Sequence, residues 1–181
     1  MILSDSELVE MLREPRTRRE GFAVLVKQYS EKLYWKVRRI VLSHEDANDV
    51  LQNVFIKVWS NLQNFQGKSS LSTWLYRIAI NESLDFLRKQ KLADKVSADE
   101  DDSVASRLMS DEYFDGDEVQ ARLQEAVARL PEVQRTVFNL KYFEEMKYSE
   151  MSQILNTSEG ALKASYHLAV KKITEYLHLF D

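Results

Sequence analysis

The sequence predicts an all-α protein made of two small helical domains joined by a flexible acidic linker, and three observations carry that expectation. Gly occurs 4 times and Pro 2 times in 181 residues, so few positions break a helix. Apolar residues recur three and four apart through most of the chain, and few segments show the alternation a strand requires. Charge is segregated along the sequence. Residues 1–93 hold 15 Lys or Arg against 11 Asp or Glu, residues 94–118 hold 2 against 10, and residues 119–181 hold 8 against 8. The overall net charge of -4 therefore belongs to one short stretch, and the flanking parts are judged separately as binders of nucleic acid. The expected domains are 1–93 and 119–181, with 94–118 as the tether.

The first helix is expected after Ser4 or Asp5, carries Leu8, Val9 and Leu12, and stops at Pro15. A long amphipathic segment follows, with Phe22, Leu25, Val26, Tyr29, Leu33, Val37, Ile40 and Val41 on one side. Ser43 opens a capping pattern, and the next helix buries Ala47, Val50, Leu51, Val54, Phe55, Val58 and Trp59. Its other side carries Asp49, Gln52, Asn53 and Lys57. Because Asp49, Gln52 and Asn53 lie three and four apart, they form one polar patch, either a docking face or a plain solvated one.

The stretch Asn64–Lys89 combines a polar loop, Gln66-Gly67-Lys68-Ser69-Ser70, with a helix whose apolar stripe is Leu71, Trp74, Leu75, Ile78 and Ala79. Ser70 or Ser72 can cap that helix, while Lys68, Arg77, Asn81, Arg88 and Lys89 supply donors. Donors without carboxylates beside Phe65 and Trp74 suit an unstacked base and its phosphates, and a solvated turn is the plain alternative. The first domain closes around Phe22, Tyr29, Phe55, Trp59, Trp74 and Ile78. In the tether, Leu108, Met109, Tyr113 and Phe114 are candidate anchors.

From Val119 the helical pattern returns with Leu123, Val127 and Leu130, and Pro131 breaks it. Two later helices around Asn156-Thr157-Ser158 make a helix-turn-helix pattern, whose second helix enters a DNA major groove in proteins built that way. Its exposed residues would be Ser158, Glu159, Lys163, Ser165, Tyr166 and His167, with Lys171 and Lys172 meeting phosphates.

With these motifs in order, the chain resembles bacterial RNA polymerase sigma factors of the extracytoplasmic-function subfamily. The segments FAVLVKQYSEKLYWKVRRI, EDANDVLQNVFIKVWSNLQNF and GKSSLSTWLYRIAINESLDFLRK match the family's parts for core packing, polymerase docking and melting of the downstream (-10) element. LPEVQRTVFNLKYFEEMKYSEMSQILNTSEGALKASYHLAVKKI resembles the module that reads the upstream (-35) element. The resemblance implies that Asp49, Gln52 and Asn53 dock on the polymerase core enzyme. It implies that Phe65, Gln66, Gly67, Lys68, Ser69, Ser70, Trp74, Arg77 and Asn81 capture a non-template base, and that the tether threads through the polymerase's channels. It also implies a cognate anti-sigma factor, and a monomer when free. Where the family often reads Thr-Val-Arg/Lys-Ser-Arg, this chain has Ala161-Leu162-Lys163-Ala164-Ser165, and Leu168 stands where a second basic contact is usual.

No enzyme is expected. Cysteine is absent, His44, His167 and His178 lie far apart without metal-ligand spacing, and no Gly-rich phosphate loop occurs, so neither metal nor cofactor is implied. The N-terminus lacks a basic start followed by an apolar run, which leads to the expectation of a soluble, cytoplasmic protein. The competing readings are a stand-alone helix-turn-helix regulator and a pure helix-binding interaction protein. The stretch Asn64–Asn81 discriminates, since a regulator of duplex DNA alone has no need for a base-capturing loop.

Overall fold

The computed structural model describes residues 2–94 and 116–180. All regular structure among them is helical, and the chain divides into two compact units, Met1–Ser97 and Ala98–Asp181. Most of the acidic tether, with Leu108, Met109, Tyr113 and Phe114, lies outside the described residues.

The first unit holds α1 (Asp5–Arg13), α2 (Arg18–Val41), α3 (His44–Asn61), a short 3-10 turn (Leu62–Asn64) and α4 (Leu71–Asp94). Ser4 caps α1 reciprocally: its Oγ accepts from the Glu7 N–H at 3.3 Å, and the Glu7 carboxylate accepts from the Ser4 N–H at 2.8 Å. The Ser4 hydroxyl, which also donates to Glu7 Oε2 at 2.7 Å, and then the Ser4 N–H hold the Glu7 carboxyl below its ordinary range. Ser43 caps α3 by accepting from the Asp46 N–H at 3.2 Å. Between them α2 ends on Leu42 in the left-handed region at φ 71, its N–H bonded to the Arg38 carbonyl. Tyr29 donates to Asp5 Oδ1 at 2.5 Å and fixes the start of α1 against α2.

The core of this unit is aliphatic. Leu8, Leu25, Leu33, Val37, Ile40, Val50, Val54, Val58, Leu71, Leu75, Ala79 and Ile80 are buried. Of the six residues expected at its centre, only Tyr29 is buried. Phe22, Phe55, Trp74 and Ile78 are half-buried, and Trp59 is 42% exposed. The reason is spacing: helix axes about 8–10 Å apart leave room for Val, Leu and Ala between them, so the large rings gather at the margin. There Phe22 meets Trp59 edge-on at 5.0 Å and Phe55 at 6.4 Å.

The second unit holds α5 (Glu118–Ala128), α6 (Glu132–Phe138), a π-helical turn (Asn139–Phe143), α7 (Tyr148–Leu155), α8 (Glu159–Leu177) and a final 3-10 turn (His178–Phe180). Asp117 caps α5 by accepting from the Gln120 N–H at 2.9 Å. Pro131 precedes α6, where a missing N–H costs nothing. The core joins Ala126, Val127, Leu130 and Phe138 to Ala169 and Ile173 of α8. The π turn was not expected. Its wider ring lets Phe138 stack on Tyr142 at 5.0 Å while facing Tyr166 at 5.9 Å on the other side.

Candidate nucleic-acid and docking interfaces

In α3, Ala47, Val50, Val54 and Val58 turn inward, so the helical period leaves Asp49, Gln52 and Asn53 together on the solvent side. Ile56, one turn further along that side, is 59% exposed. Sequence reasoning passed over Ile56. Its signal was an apolar residue that falls outside the buried period of its own helix. Lys57, expected on the solvated side, bends toward α4 and forms an ion pair with Glu82. That pair raises the Lys57 ammonium above its ordinary range.

Between the C-terminal end of α3, the 3-10 turn and α4 lies a pocket of about 270 Å³, lined by Lys57, Asn61, Asn64, Trp74, Ile78, Asn81 and Glu82. Trp74 and Asn81 lie on one stripe of α4, two turns apart, and Phe65 packs on the Trp74 ring at 5.0 Å. One wall is thus aromatic and the remainder carries amide, ammonium and carboxylate groups. Of the residues expected to act together, the structure brings Trp74 and Asn81 into the pocket, with Phe65 behind them. Lys57, Asn61, Asn64 and Glu82 were not foreseen, because they come from three elements whose adjacency no local pattern reveals.

The loop runs past this pocket. Gln66, Gly67, Lys68 and Ser70 are exposed and Ser69 is half-buried. Gly67 takes φ +70, and Arg13 Nη2 lies 3.3 Å from where its Cβ would be, so α1 supports the loop from behind. Ser70 is the cap of α4: its Oγ accepts from the Thr73 N–H at 3.1 Å. Arg77 lines no part of the pocket; it is half-buried, and its Nε has no hydrogen-bond acceptor among the described residues.

In the second unit, α7 ends on Asn156 in the left-handed region at φ 50 and ψ 46. Ser158 then starts α8, its Oγ accepting from the Ala161 N–H at 3.3 Å. Leu162, Ala169 and Ile173 face inward. Ser158, Glu159, Lys163, His167, Lys171 and Lys172 are exposed, and Ser165 is half-buried. Tyr166 is placed differently from its companions: half-buried, it stacks on Phe138 at an interplanar angle of 16° and packs against the core. Its ring face is committed to the protein. Tyr148, which sequence reasoning did not single out, has Lys141 Nζ at 4.8 Å and Lys163 Nζ at 5.5 Å from its ring centre. Two cations thereby gather at the mouth of the helix-turn-helix.

Among the described residues no cluster of His, Asp or Glu is arranged to hold a metal ion, and no helix is long and apolar enough to cross a membrane.

Residues 25–93 match the family model for sigma-70 region 2, and residues 120–173 match that for sigma-70 region 4. The ECF RNA polymerase sigma factor SigW of Bacillus subtilis is 32% identical over 157 residues, which cover 82% of this chain and 84% of that protein. The RNA polymerase sigma-H factor of Pseudomonas aeruginosa is also 32% identical, over 96% of this chain and 93% of its own. The fold is shared with the sigma factor RpoE of Bartonella quintana, solved in complex with the anti-sigma factor NepR. That likeness has a TM-score of 0.69 at 20% identity over 88% of this chain and 98% of RpoE. CnrH, solved with the cytosolic domain of CnrY, gives a TM-score of 0.68 at 20% identity, over 98% of this chain and 96% of CnrH. The two matched regions, in this order and over this much of the chain, make the protein a member of the extracytoplasmic-function subfamily of sigma-70 family RNA polymerase sigma factors.

Proposed function

We propose that the protein divides promoter recognition between its two units, with residues 1–93 docking on core polymerase and opening the -10 element, residues 94–118 serving as tether, and residues 119–181 reading the -35 element as duplex. As a sigma factor it is a transcription initiation factor that directs core enzyme to promoters. RNA synthesis is the polymerase's chemistry, and this chain contributes binding and strand separation in the cytoplasm, as a monomer until it meets core. RpoE of Bartonella quintana, which shares this fold and was solved with the anti-sigma factor NepR, supports a partner of that kind for this chain too.

The observation that carries the melting assignment is the pocket against α4. Extruding a base from a duplex costs a few kcal/mol, and stacking on an aromatic face contributes about 1–3 kcal/mol in return. Trp74, braced by Phe65, offers the stacking surface. Asn81, Asn61 and Lys57 offer donors and acceptors for a base edge, while exposed Lys68 and Gln66 meet the phosphates that follow. A regulator confined to duplex DNA would leave this pocket without a task.

Asn81→Ala tests the assignment, because Asn81 is exposed and its loss leaves the core untouched. In reconstituted holoenzyme the variant should bind promoter duplex as wild type does, yet give several-fold weaker permanganate reactivity of unpaired thymines. Equal reactivity would remove base capture from this pocket.

A further inference from the structure

The outward face of α8 has an apolar centre. Leu168 is 46% exposed, Ala164 is exposed one turn before it, and both lie opposite the buried Leu162, Ala169 and Ile173. At 3.6 residues per turn, Ala164, Leu168 and Lys171 fall within about 60° of arc on that face. Lys163 and His167 flank the pair on one side and Lys172 on the other, all exposed. The helix contains no arginine, so the forked guanidinium that most often reads guanine is absent from this surface.

We infer that Leu168, assisted by Ala164, reads the 5-methyl group of thymine in the major groove of the -35 element. This rests on the assignment of α8 to the upstream duplex and names what that helix would recognise there. Thymine alone among the four bases shows a methyl group in the major groove, and an apolar side chain is what discriminates it. The cations around the pair decide between nucleic acid and a protein partner. Ammonium groups on both flanks of a strip only about 60° wide, made by Ala161, Ala164 and Leu168 with the carboxylate of Glu175 at its far end, match a groove edged by phosphates, whereas a helix-binding groove would present a wider apolar stripe. Lys171 and Lys172 then set depth and register, and Leu168 supplies the sequence preference.

The test uses duplexes selected from a random library by holoenzyme reconstituted from core polymerase and the full chain. In the selected upstream element each thymine is replaced in turn by deoxyuridine, which deletes the methyl and keeps the pairing edge. At one or two positions wild-type affinity should fall about fourfold, the worth of one buried methyl-sized group. In Leu168→Ala holoenzyme the same replacement should have no effect, and Leu168→Arg should shift the preference at that position toward guanine. Deoxyuridine that is neutral everywhere, or equally costly to Leu168→Ala, would overturn the methyl reading while leaving the duplex assignment standing. A library that yields no enriched upstream sequence would overturn both.

Discussion

Lys36 shows how a single side chain can be held against its own preference. It sits on the buried face of α2 at 9% exposure, with its ammonium 4.1 Å from the centre of the Tyr76 ring. Burial, then the neighbouring charges of Arg39 and Lys32, pushes its pKa from the ordinary 10.5 down to about 8. The folded state thus binds this proton less well than the unfolded state does. Below pH 8 the group is charged in both states and the cost is fully present. As pH rises from 8 toward 10.5 the folded chain sheds the proton first, and the cost is relieved. Lys36→Met should therefore stabilise the first unit at pH 7, by about 1–2 kcal/mol once the cation–π contact and the ammonium's other contacts are subtracted, and the gain should vanish near pH 10.5. All three tryptophans, Trp35, Trp59 and Trp74, lie in that unit, so urea unfolding followed by tryptophan fluorescence reads it alone. A gain that is equal at both pH values would show that the packing, not the charge, sets the cost. The same readout tests Gly21. A Cβ there would lie 2.9 Å from Met11 Cβ and 3.3 Å from the Met11 carbonyl carbon, so α1 can approach α2 only because this position has no side chain. Alanine gains about 1 kcal/mol of helix propensity but forces the helices apart, and Gly21→Ala should destabilise by a net of about 1–2 kcal/mol.

At the scale of the element, the caps and breaks were legible and the depth of burial was not. Ser4, Ser43 and Ser70, the cap candidates, each accept a backbone N–H at the start of the helix they precede, because a short side-chain oxygen beside orphan donors is a strictly local arrangement; Ser158, expected only as a DNA-facing residue, caps α8 in the same way. Periodicity told which face of α3 is apolar, yet it ranked Trp59 with Val54, and only the distance between helix axes separates a rim residue from a core one. The π turn after Phe138 escaped for a related reason: its bond from the Glu144 N–H to the Asn139 carbonyl is favoured by tertiary stacking around Phe138, not by residue propensity. Asn156 lies between these cases. The turn's place was legible from Asn156-Thr157-Ser158, and its geometry comes from the structure: Asn156, a residue type that tolerates the left-handed region, lies there at φ 50 and ψ 46. Asn156→Ala should cost about 1 kcal/mol, because alanine keeps the Cβ that meets the carbonyl oxygen in this conformation but lacks the short polar side chain that offsets it, and Asn156→Gly should restore or exceed wild-type stability. Since the second unit has no tryptophan, hydrogen exchange of peptides spanning α7 and α8 is the appropriate measure. Where those amides exchange by opening of the whole helix-turn-helix, the alanine variant should exchange about fivefold faster and the glycine variant no faster than wild type. Exchange unchanged in Asn156→Ala would mean that the turn tolerates any residue.

Across the whole molecule, the two surfaces proposed for the first unit share one scaffold, and they can be separated by measurement. The pocket uses the end of α3 and the middle of α4, whereas the proposed docking face uses the middle of α3 on its solvent side. Family resemblance pointed to Asp49, Gln52 and Asn53 for docking, and all three are exposed together. Polar groups alone make a weak interface, because each exchanges water for an equivalent partner. Stable interfaces place an apolar residue at the centre of the patch and polar residues around it. On the proposed docking face, Ile56, 59% exposed and a turn beyond Gln52, would supply that centre, and Trp59, 42% exposed, would extend it. Ile56→Ala should therefore weaken association with core polymerase at least as much as Asp49→Ala combined with Gln52→Ala, each by about tenfold or more. Neither change touches a buried residue, so the tryptophan-monitored unfolding midpoint should stay at the wild-type value. The polar double variant should also lose much of its sensitivity to salt, while Ile56→Ala should retain it, since only the former removes a charge. Fluorescence anisotropy of labelled protein titrated with core enzyme at two salt concentrations measures both quantities at once. Wild-type affinity in both variants would move the docking face off α3. Loss in the polar variant alone would leave α3 as the docking face but remove Ile56 from its centre.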